Sequence, residues 1–229
     1  MHTVKTICFF TLLITLIVQG CKDESSPPPQ APAQEKYAGT IAAVGDSLTE
    51  GLGVAEEFAY PALLAQKLQD QGYRYRVVNA GISGETSSGT LARIKWVLTL
   101  KPDIVILVIG ANDGLRGIDP GLIESNLRRI IQALKAENVI VVLGGMRIVQ
   151  NLGPTYTSAF AAVYPKIAES EKVIFIPFFL NGVAADPALN QSDGIHPTAE
   201  GYRKIVAHIY PYVTRAIENH RETVLPPPQ

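Results

Sequence analysis

Short apolar runs alternate with longer segments of helical period from Thr40 onward. Strands that are buried on both faces of a sheet become almost wholly apolar, so this alternation is typical of a parallel sheet covered by helices on both faces. We therefore predict a three-layer α/β/α sandwich with a five-stranded parallel sheet. The predicted strands are residues 40–44, 75–79, 104–109, 139–143 and 173–176.

The segments between these strands carry apolar residues at helical spacing. In residues 60–71, for example, Leu63, Leu64 and Leu68 fall on one face. Asp119 and Pro120 are typical of a cap and first-turn pair, so they indicate the start of another helix. The predicted helices are residues 60–71, 86–100, 120–135, 155–170 and 198–219.

The N-terminus has the pattern of an export signal. Lys5 precedes an apolar run, residues 7–18, that is short for a membrane span. The run ends in "LIVQGC", which resembles a bacterial lipobox whose cysteine, here Cys21, is acylated after cleavage. Residues 1–20 are thus predicted to be a lipoprotein signal peptide. An ordinary signal cleaved near Gly20 and an uncleaved anchor are the alternatives.

The residues after Cys21 are polar and rich in proline, a composition that cannot bury apolar surface. We expect residues 21–37 to be a lipidated cysteine and tether, 38–220 to be a single folded domain and 221–229 to be a disordered tail. The predicted location is outside the inner membrane, as a periplasmic-side or outer-membrane-anchored lipoprotein. A soluble periplasmic protein is the alternative.

Composition excludes several classes of function. The formal net charge is -1, so there is no basic field to attract nucleic acid. The only cysteines are Cys8 and Cys21, which leaves no disulfide in the exported domain. The histidines and cysteines are not clustered, which disfavours a metal site.

Polar clusters follow the predicted strands where a parallel sheet binds its ligands. The first strand, in "IAAVGDSLTEGLG", is followed by "GDS" with Ser47, the second runs into "NAG" with Gly81, and the third is followed by "GAND" with Asn112. The last helix is preceded by "DGIHP" with His196. Since ligands bind beyond the carboxyl ends of parallel strands, we expect these four residues to share one edge.

A serine is a poor nucleophile unless a base removes its proton. His208 and His220 lie within or at the end of the last helix, so His196 is the candidate base on this edge. Asp193, three residues earlier in a turn with glycine, can accept the imidazole Nδ1 proton and leave Nε2 for Ser47. These residues form a candidate catalytic triad.

Attack on an ester carbonyl builds negative charge on oxygen, which needs fixed hydrogen-bond donors. The backbone N–H groups of Ser47 and Gly81 and the side-chain amide of Asn112 are the candidate oxyanion hole. Asp46 and Asp113 are expected only to brace turns, because the triad already has its acid.

Taken in order, these four blocks resemble the GDSL or SGNH hydrolases, and in particular the bacterial thioesterase I, arylesterase and lysophospholipase subgroup. The segments "GISGETSSGTLARI" and "GANDGLRGIDP" are similar to that subgroup. The resemblance implies a flavodoxin-like fold, the SGNH hydrolase fold, with no cofactor. It also implies that Ser47 is the nucleophile, His196 the base and Asp193 its orienting acid.

Apolar residues beside these blocks could line an acyl pocket, as is common in ligand sites. Leu48, Leu115, Ile118 and Ile195 are the candidates. The expected activity is hydrolysis of small acyl esters, thioesters or lysophospholipids through an acyl enzyme. A carbohydrate O-deacetylase or acyltransferase with the same triad is the alternative, followed by a catalytically silent lipoprotein that binds lipid or glycan.

Overall fold

The computed structural model describes residues 37–148 and 152–224. The predicted signal peptide, Cys21 and the proline-rich tether up to residue 36 lie outside the described residues. None of the helices in the described residues is long and apolar enough to cross a membrane.

Five parallel strands form one sheet, which confirms the predicted fold class. Their order is β2-β1-β3-β4-β5, the order of flavodoxin-like folds. The strands are β1 (Gly39–Gly45), β2 (Tyr75–Gly81), β3 (Ile104–Val108), β4 (Ile140–Gly144) and β5 (Ile174–Ile176).

The register of the three neighbouring strands brings their carboxyl ends to one level. Gly45 at the end of β1 pairs with Gly81 on one side and with Val108 on the other. The segments that leave these strands therefore begin side by side at one edge of the sheet. Those segments carry the serine, the glycines and the asparagine of the predicted site.

Helices cover both faces of the sheet. α2 and α8 pack against each other on one face, and α6 packs against α3, α4 and α7 on the other. The helices are α1 (Ser47–Glu50), α2 (Tyr60–Asp70), α3 (Ser87–Ala92), α4 (Ile94–Thr99), α5 (Ala111–Leu115), α6 (Pro120–Ala136), α7 (Pro154–Glu171) and α8 (Ala199–Val224).

One predicted helix is broken into two. We expected a single helix over residues 86–100, but α3 ends at Ala92 and α4 begins at Ile94. The side chain of Arg93, at the break, binds the Glu85 carboxylate and the Ala80 carbonyl. Helical periodicity does not report such a contact, because it depends on residues outside the helix.

The last helix extends beyond its predicted end at Asn219. It continues to Val224, and the rest of the predicted tail lies outside the described residues. His220, which we expected near a frayed end, is buried: its Nδ1 lies 2.7 Å from the Tyr75 hydroxyl and its Nε2 lies 3.3 Å from Asp103 Oδ1. These contacts attach the end of α8 to the start of the sheet.

Replacing His220 with alanine should destabilise the fold. The buried Tyr75 hydroxyl would lose its partner, which we expect to lower the free energy of unfolding by about 1 to 3 kcal/mol in a denaturant titration. Asn219→Ala, on the exposed side of the same turn, is the control and should change it by less than about 0.5 kcal/mol. Equal effects of the two substitutions would contradict this account of the helix end.

Candidate active site

Ser47 is the first residue of a very short helix, α1, which follows the end of β1. Asp46 is the N-cap of α1, and its side chain accepts a hydrogen bond from the Leu48 N–H at 3.0 Å. This contact confirms that Asp46 braces the turn. Because Ser47 is the first residue of α1, its N–H has no acceptor within the helix, and it has none among the other described residues.

The structure brings Ser47, His196 and Asp193 into one chain of contacts. Ser47 Oγ lies 2.8 Å from His196 Nε2, and His196 Nδ1 lies 2.7 Å from Asp193 Oδ2. The other Asp193 oxygen accepts the backbone N–H groups of Ile195 and His196 at 2.9 and 3.0 Å. The turn between Asp193 and His196 thus holds the imidazole against the carboxylate.

The Asp193 carboxylate remains charged, and its side chain is 45% exposed to solvent. Hydrogen bonds from the His196 ring, and then from the backbone N–H groups of His196 and Ile195, lower the pKa of Asp193 to about 2. It is therefore an anion at neutral pH, which favours a proton on the adjacent Nδ1 and leaves Nε2 to accept.

Asn112 projects toward the same place from α5. The helix follows Gly110, which has a φ of 112°, and an added Cβ there would lie 2.3 Å from the Tyr164 hydroxyl. The Asn112 amide donates to the Glu85 carbonyl at 3.0 Å and lies 3.4 Å from Asp46 Oδ2. Asp113, one residue further, accepts both the N–H and the hydroxyl of Ser87, which confirms that it braces a turn.

Gly81 does not lie where the sequence placed it. Its N–H donates to the Asn79 side chain at 3.0 Å, and Gly81 does not line the cavity beside Ser47. Glycine is required here for another reason: an added Cβ would lie 2.2 Å from the Glu50 backbone nitrogen. The prediction of Gly81 as an oxyanion donor is therefore wrong, and the residue makes room for α1.

Gly84, three residues further along, is better placed. It lines the cavity together with Ser47, Asn112 and His196, and its N–H has no acceptor among the described residues. Its φ of 75° is one that glycine adopts readily and other residues rarely do. Both glycines stand in the segment "GISGET", and nothing in the spacing of that segment distinguishes them.

An apolar cavity of about 490 Å³ adjoins the Ser47 hydroxyl. Among the predicted pocket residues, Leu48, Leu115 and Ile195 line it. Ile118 does not: it packs on the core, and its carbonyl accepts from the Tyr156 hydroxyl at 2.6 Å. The sequence had not singled out several other lining residues, namely Ala111, Met146, Ile148, Leu180, Ala184 and Ala185.

One charged group at the bottom of this cavity is almost fully buried. Asp46 is 1% exposed, and its burial raises its pKa to about 6 despite the opposing hydrogen bond from Leu48. The described residues hold no group of three or more acids, histidines or cysteines arranged to bind a metal ion.

Comparison with protein families gives a match that covers most of the folded part of the chain. Residues 43–204 match the GDSL-like lipase/acylhydrolase family. The chain belongs to this family. This membership confirms the predicted class of enzyme, an esterase or thioesterase of the GDSL type.

Several GDSL relatives are similar over most of their length. Esterase TesA of Pseudomonas aeruginosa is 41% identical over 197 residues, which cover 86% of this chain and 96% of the relative. An arylesterase of Vibrio mimicus is 37% identical, with coverage of 82% and 90%. Thioesterase 1/protease 1/lysophospholipase L1 of Escherichia coli K12 is 42% identical, with coverage of 71% and 77%.

Solved structures of GDSL proteins share the fold. The crystal structure of TesA superposes with a TM-score of 0.75 at 41% identity and covers 77% of this chain and 99% of that one. The psychrotrophic esterase EstA from a Pseudoalteromonas species gives a TM-score of 0.75 at 31% identity, with coverage of 79% and 100%. These likenesses agree with the parallel sheet and its flanking helices.

Proposed function

We propose that this GDSL enzyme hydrolyses carboxylic esters or thioesters through an acyl enzyme on Ser47. The contact of Ser47 Oγ with His196 Nε2 at 2.8 Å, beside an apolar cavity, is the observation that carries the proposal. Serine becomes a nucleophile when such a base takes its proton.

In the first step His196 Nε2 removes the Ser47 proton as Oγ attacks the acyl carbon. Asp193 accepts a hydrogen bond from Nδ1–H and stabilises the imidazolium. His196 then gives its proton to the departing alcohol or thiol. In the second half, water attacks the acyl carbon while His196 takes the water's proton. The bond between the acyl carbon and Ser47 Oγ then breaks, His196 returns the proton to Oγ, and the acid product leaves.

Three donors are suited to the charge that develops on the carbonyl oxygen. They are the N–H groups of Ser47 and Gly84 and the side-chain amide of Asn112, all at residues that line the cavity. Gly84 replaces Gly81 in this role, because the Gly81 N–H is bound to Asn79. Fixed donors at this position lower the barrier without reorganisation during the reaction.

Small aryl or acyl esters, thioesters and lysophospholipids fit the apolar cavity as substrates. Its walls carry aliphatic side chains and the Phe178 ring, and Leu52, Leu115 and Ile195 at the cavity are each about half exposed. An acyl chain can bury its methylene groups there, whereas a sugar would leave its hydroxyls unpaired. This favours an acyl-chain hydrolase over a carbohydrate O-deacetylase.

Ser47→Ala and His196→Ala should each remove nearly all turnover. We expect losses of at least about 1,000-fold in kcat for a p-nitrophenyl ester, because each substitution removes one member of a unit that works together. Both variants should keep the near-UV circular dichroism of the native protein. Substantial activity in a folded Ser47→Ala protein would show that another group performs the reaction.

Ala184→Trp should shorten the acyl range. Ala184 lines the cavity and is exposed, so an indole there occupies space without replacing a core residue. Measured over a p-nitrophenyl series, kcat/KM should fall about 10-fold or more for octanoate and stay within about 2-fold for acetate. Ala188→Trp, exposed but outside the cavity, is the control. An equal fall for both chain lengths would argue against an acyl-binding role.

We further propose that the enzyme is exported and held at a membrane by a lipid on Cys21, on the periplasmic side or at the outer membrane. The proposal rests on the "LIVQGC" sequence and the proline-rich tether. Residues 21–35 can extend to roughly 45 Å in a polyproline-like conformation. That length would let the tethered domain turn its cavity toward a substrate.

Cys21→Ser should abolish incorporation of radiolabelled palmitate in cells and move the enzyme from the membrane to the soluble fraction. The esterase activity of the released protein should be unchanged, since the candidate site is built from residues 46–196 and does not include Cys21. Cys8→Ser, within the apolar run, is the control and should retain the label. A soluble, unlabelled wild-type protein would instead support the ordinary periplasmic signal.

A further inference from the structure

The buried carboxyl group of Asp46 contacts one donor of the candidate oxyanion hole, Asn112, and the residue next to another donor, Ser47. Its Oδ1 accepts the Leu48 N–H at 3.0 Å, in the first turn of α1, directly after Ser47. Its Oδ2 lies 3.4 Å from the Asn112 amide nitrogen. Asp46 takes no part in the contacts that link Ser47, His196 and Asp193.

Each oxygen of Asp46 therefore faces a different donor. The bond to Leu48 fixes the start of α1 and with it the direction of the Ser47 N–H. The Asn112 amide has two hydrogens, of which one is directed to the Glu85 carbonyl at 3.0 Å. The other can lie between Asp46 and the position of the substrate oxygen, since 3.4 Å is a weak contact that it can exchange.

Burial makes the charged form of the Asp46 carboxylate unfavourable at this position. Asp46 is 1% exposed, and the loss of solvation raises its pKa to about 6. The charged groups that face it are His196, which opposes the rise, and the acids Glu85 and Asp113, which add to it. Three buried phenols, those of Tyr60, Tyr164 and Tyr202, also face it and supply no positive charge.

We propose that Asp46 is a positioning residue for catalysis, whose two carboxylate oxygens hold the Ser47 N–H and the Asn112 amide in one geometry for the oxyanion. The inference rests on the proposed serine mechanism and adds a residue to it. A cap alone does not require a carboxylate, because serine or asparagine caps a helix as well. A carboxylate is required because its second oxygen contacts Asn112.

Asp46→Asn tests this division of roles. Leu48 and Asn112 face different oxygens of the carboxylate, and in the amide one of these positions is an NH2 group, which donates and cannot accept. We expect kcat for a p-nitrophenyl ester to fall about 10- to 100-fold with KM changed less than about 3-fold, because the oxyanion is present only in the transition state. A kcat within about 2-fold of wild type would overturn the proposal.

A double-mutant cycle distinguishes positioning from a general structural role. If Asp46 acts through Asn112, adding Asp46→Asn to an Asn112→Ala protein should lower kcat by less than about 3-fold. If the two losses multiply in full, Asp46 acts independently of Asn112 and the inference fails. Asp113→Asn is the matched control, because this buried carboxylate binds Ser87. The fold-decrease in kcat that it causes should multiply with the fold-decrease caused by Asn112→Ala.

The pH profile is a second readout that a purely structural role would not change. Protonation removes one acceptor of Asp46, so the acid limb of kcat/KM in the wild type should contain an ionisation of the Asp46 carboxyl group. In Asp46→Asn this ionisation should be absent. An identical acid limb in the two proteins would contradict the proposal.

Asp46→Ser covers the case in which the asparagine variant fails to fold. Serine can cap α1 through its hydroxyl but is too short to reach Asn112. It should keep the native unfolding midpoint and lose kcat as Asp46→Asn does; full activity would overturn the proposal. Ser47→Ala in the same assay tests the serine mechanism separately from the positioning role of Asp46. Activity of the Ser47→Ala protein would refute the serine mechanism itself.

Discussion

The close approach of α1 to the end of β2 is the contact on which the rest of the site depends. The Glu50 backbone lies so near Gly81 that a single added Cβ would be 2.2 Å from its nitrogen. The Asn79 amide also donates to the Glu50 carbonyl at 3.1 Å. With α1 held there, Ser47 stands at the level where three parallel strands end, within reach of groups from distant parts of the chain.

The loop between β2 and α3 is fixed by a second, buried contact. Arg93 forms short bonds to both carboxylate oxygens of Glu85 and donates to the Ala80 carbonyl at 2.7 Å, so one guanidinium joins the two ends of the loop. Bidentate contacts of this kind give geometric specificity. The Glu85 carbonyl in turn accepts from Asn112. The ion pair located at the break between α3 and α4 thus supports the loop of Gly84 and the Asn112 amide beside it.

The two acids near Ser47 illustrate how environment divides roles between like groups. Asp193 is exposed, receives three hydrogen bonds and has its pKa lowered to about 2, while Asp46 is buried and has its pKa raised to about 6. Perturbed carboxyl groups are frequent at functional sites. The first is suited to orient an imidazole. The second, which looks like a simple turn residue in the sequence, is suited to hold neutral donors.

The strands, the sheet class and the serine, histidine and asparagine motifs could be predicted from the sequence, because burial periodicity and short motifs are local properties. The break between α3 and α4 was missed, the oxyanion glycine was placed wrongly, Ile118 was assigned to the pocket and His220 to a frayed end. These features became visible in the folded structure, since each depends on side-chain contacts that periodicity and motif spacing do not report. Gly81 and Gly84 look alike in sequence, and the position of the Glu50 backbone separates them.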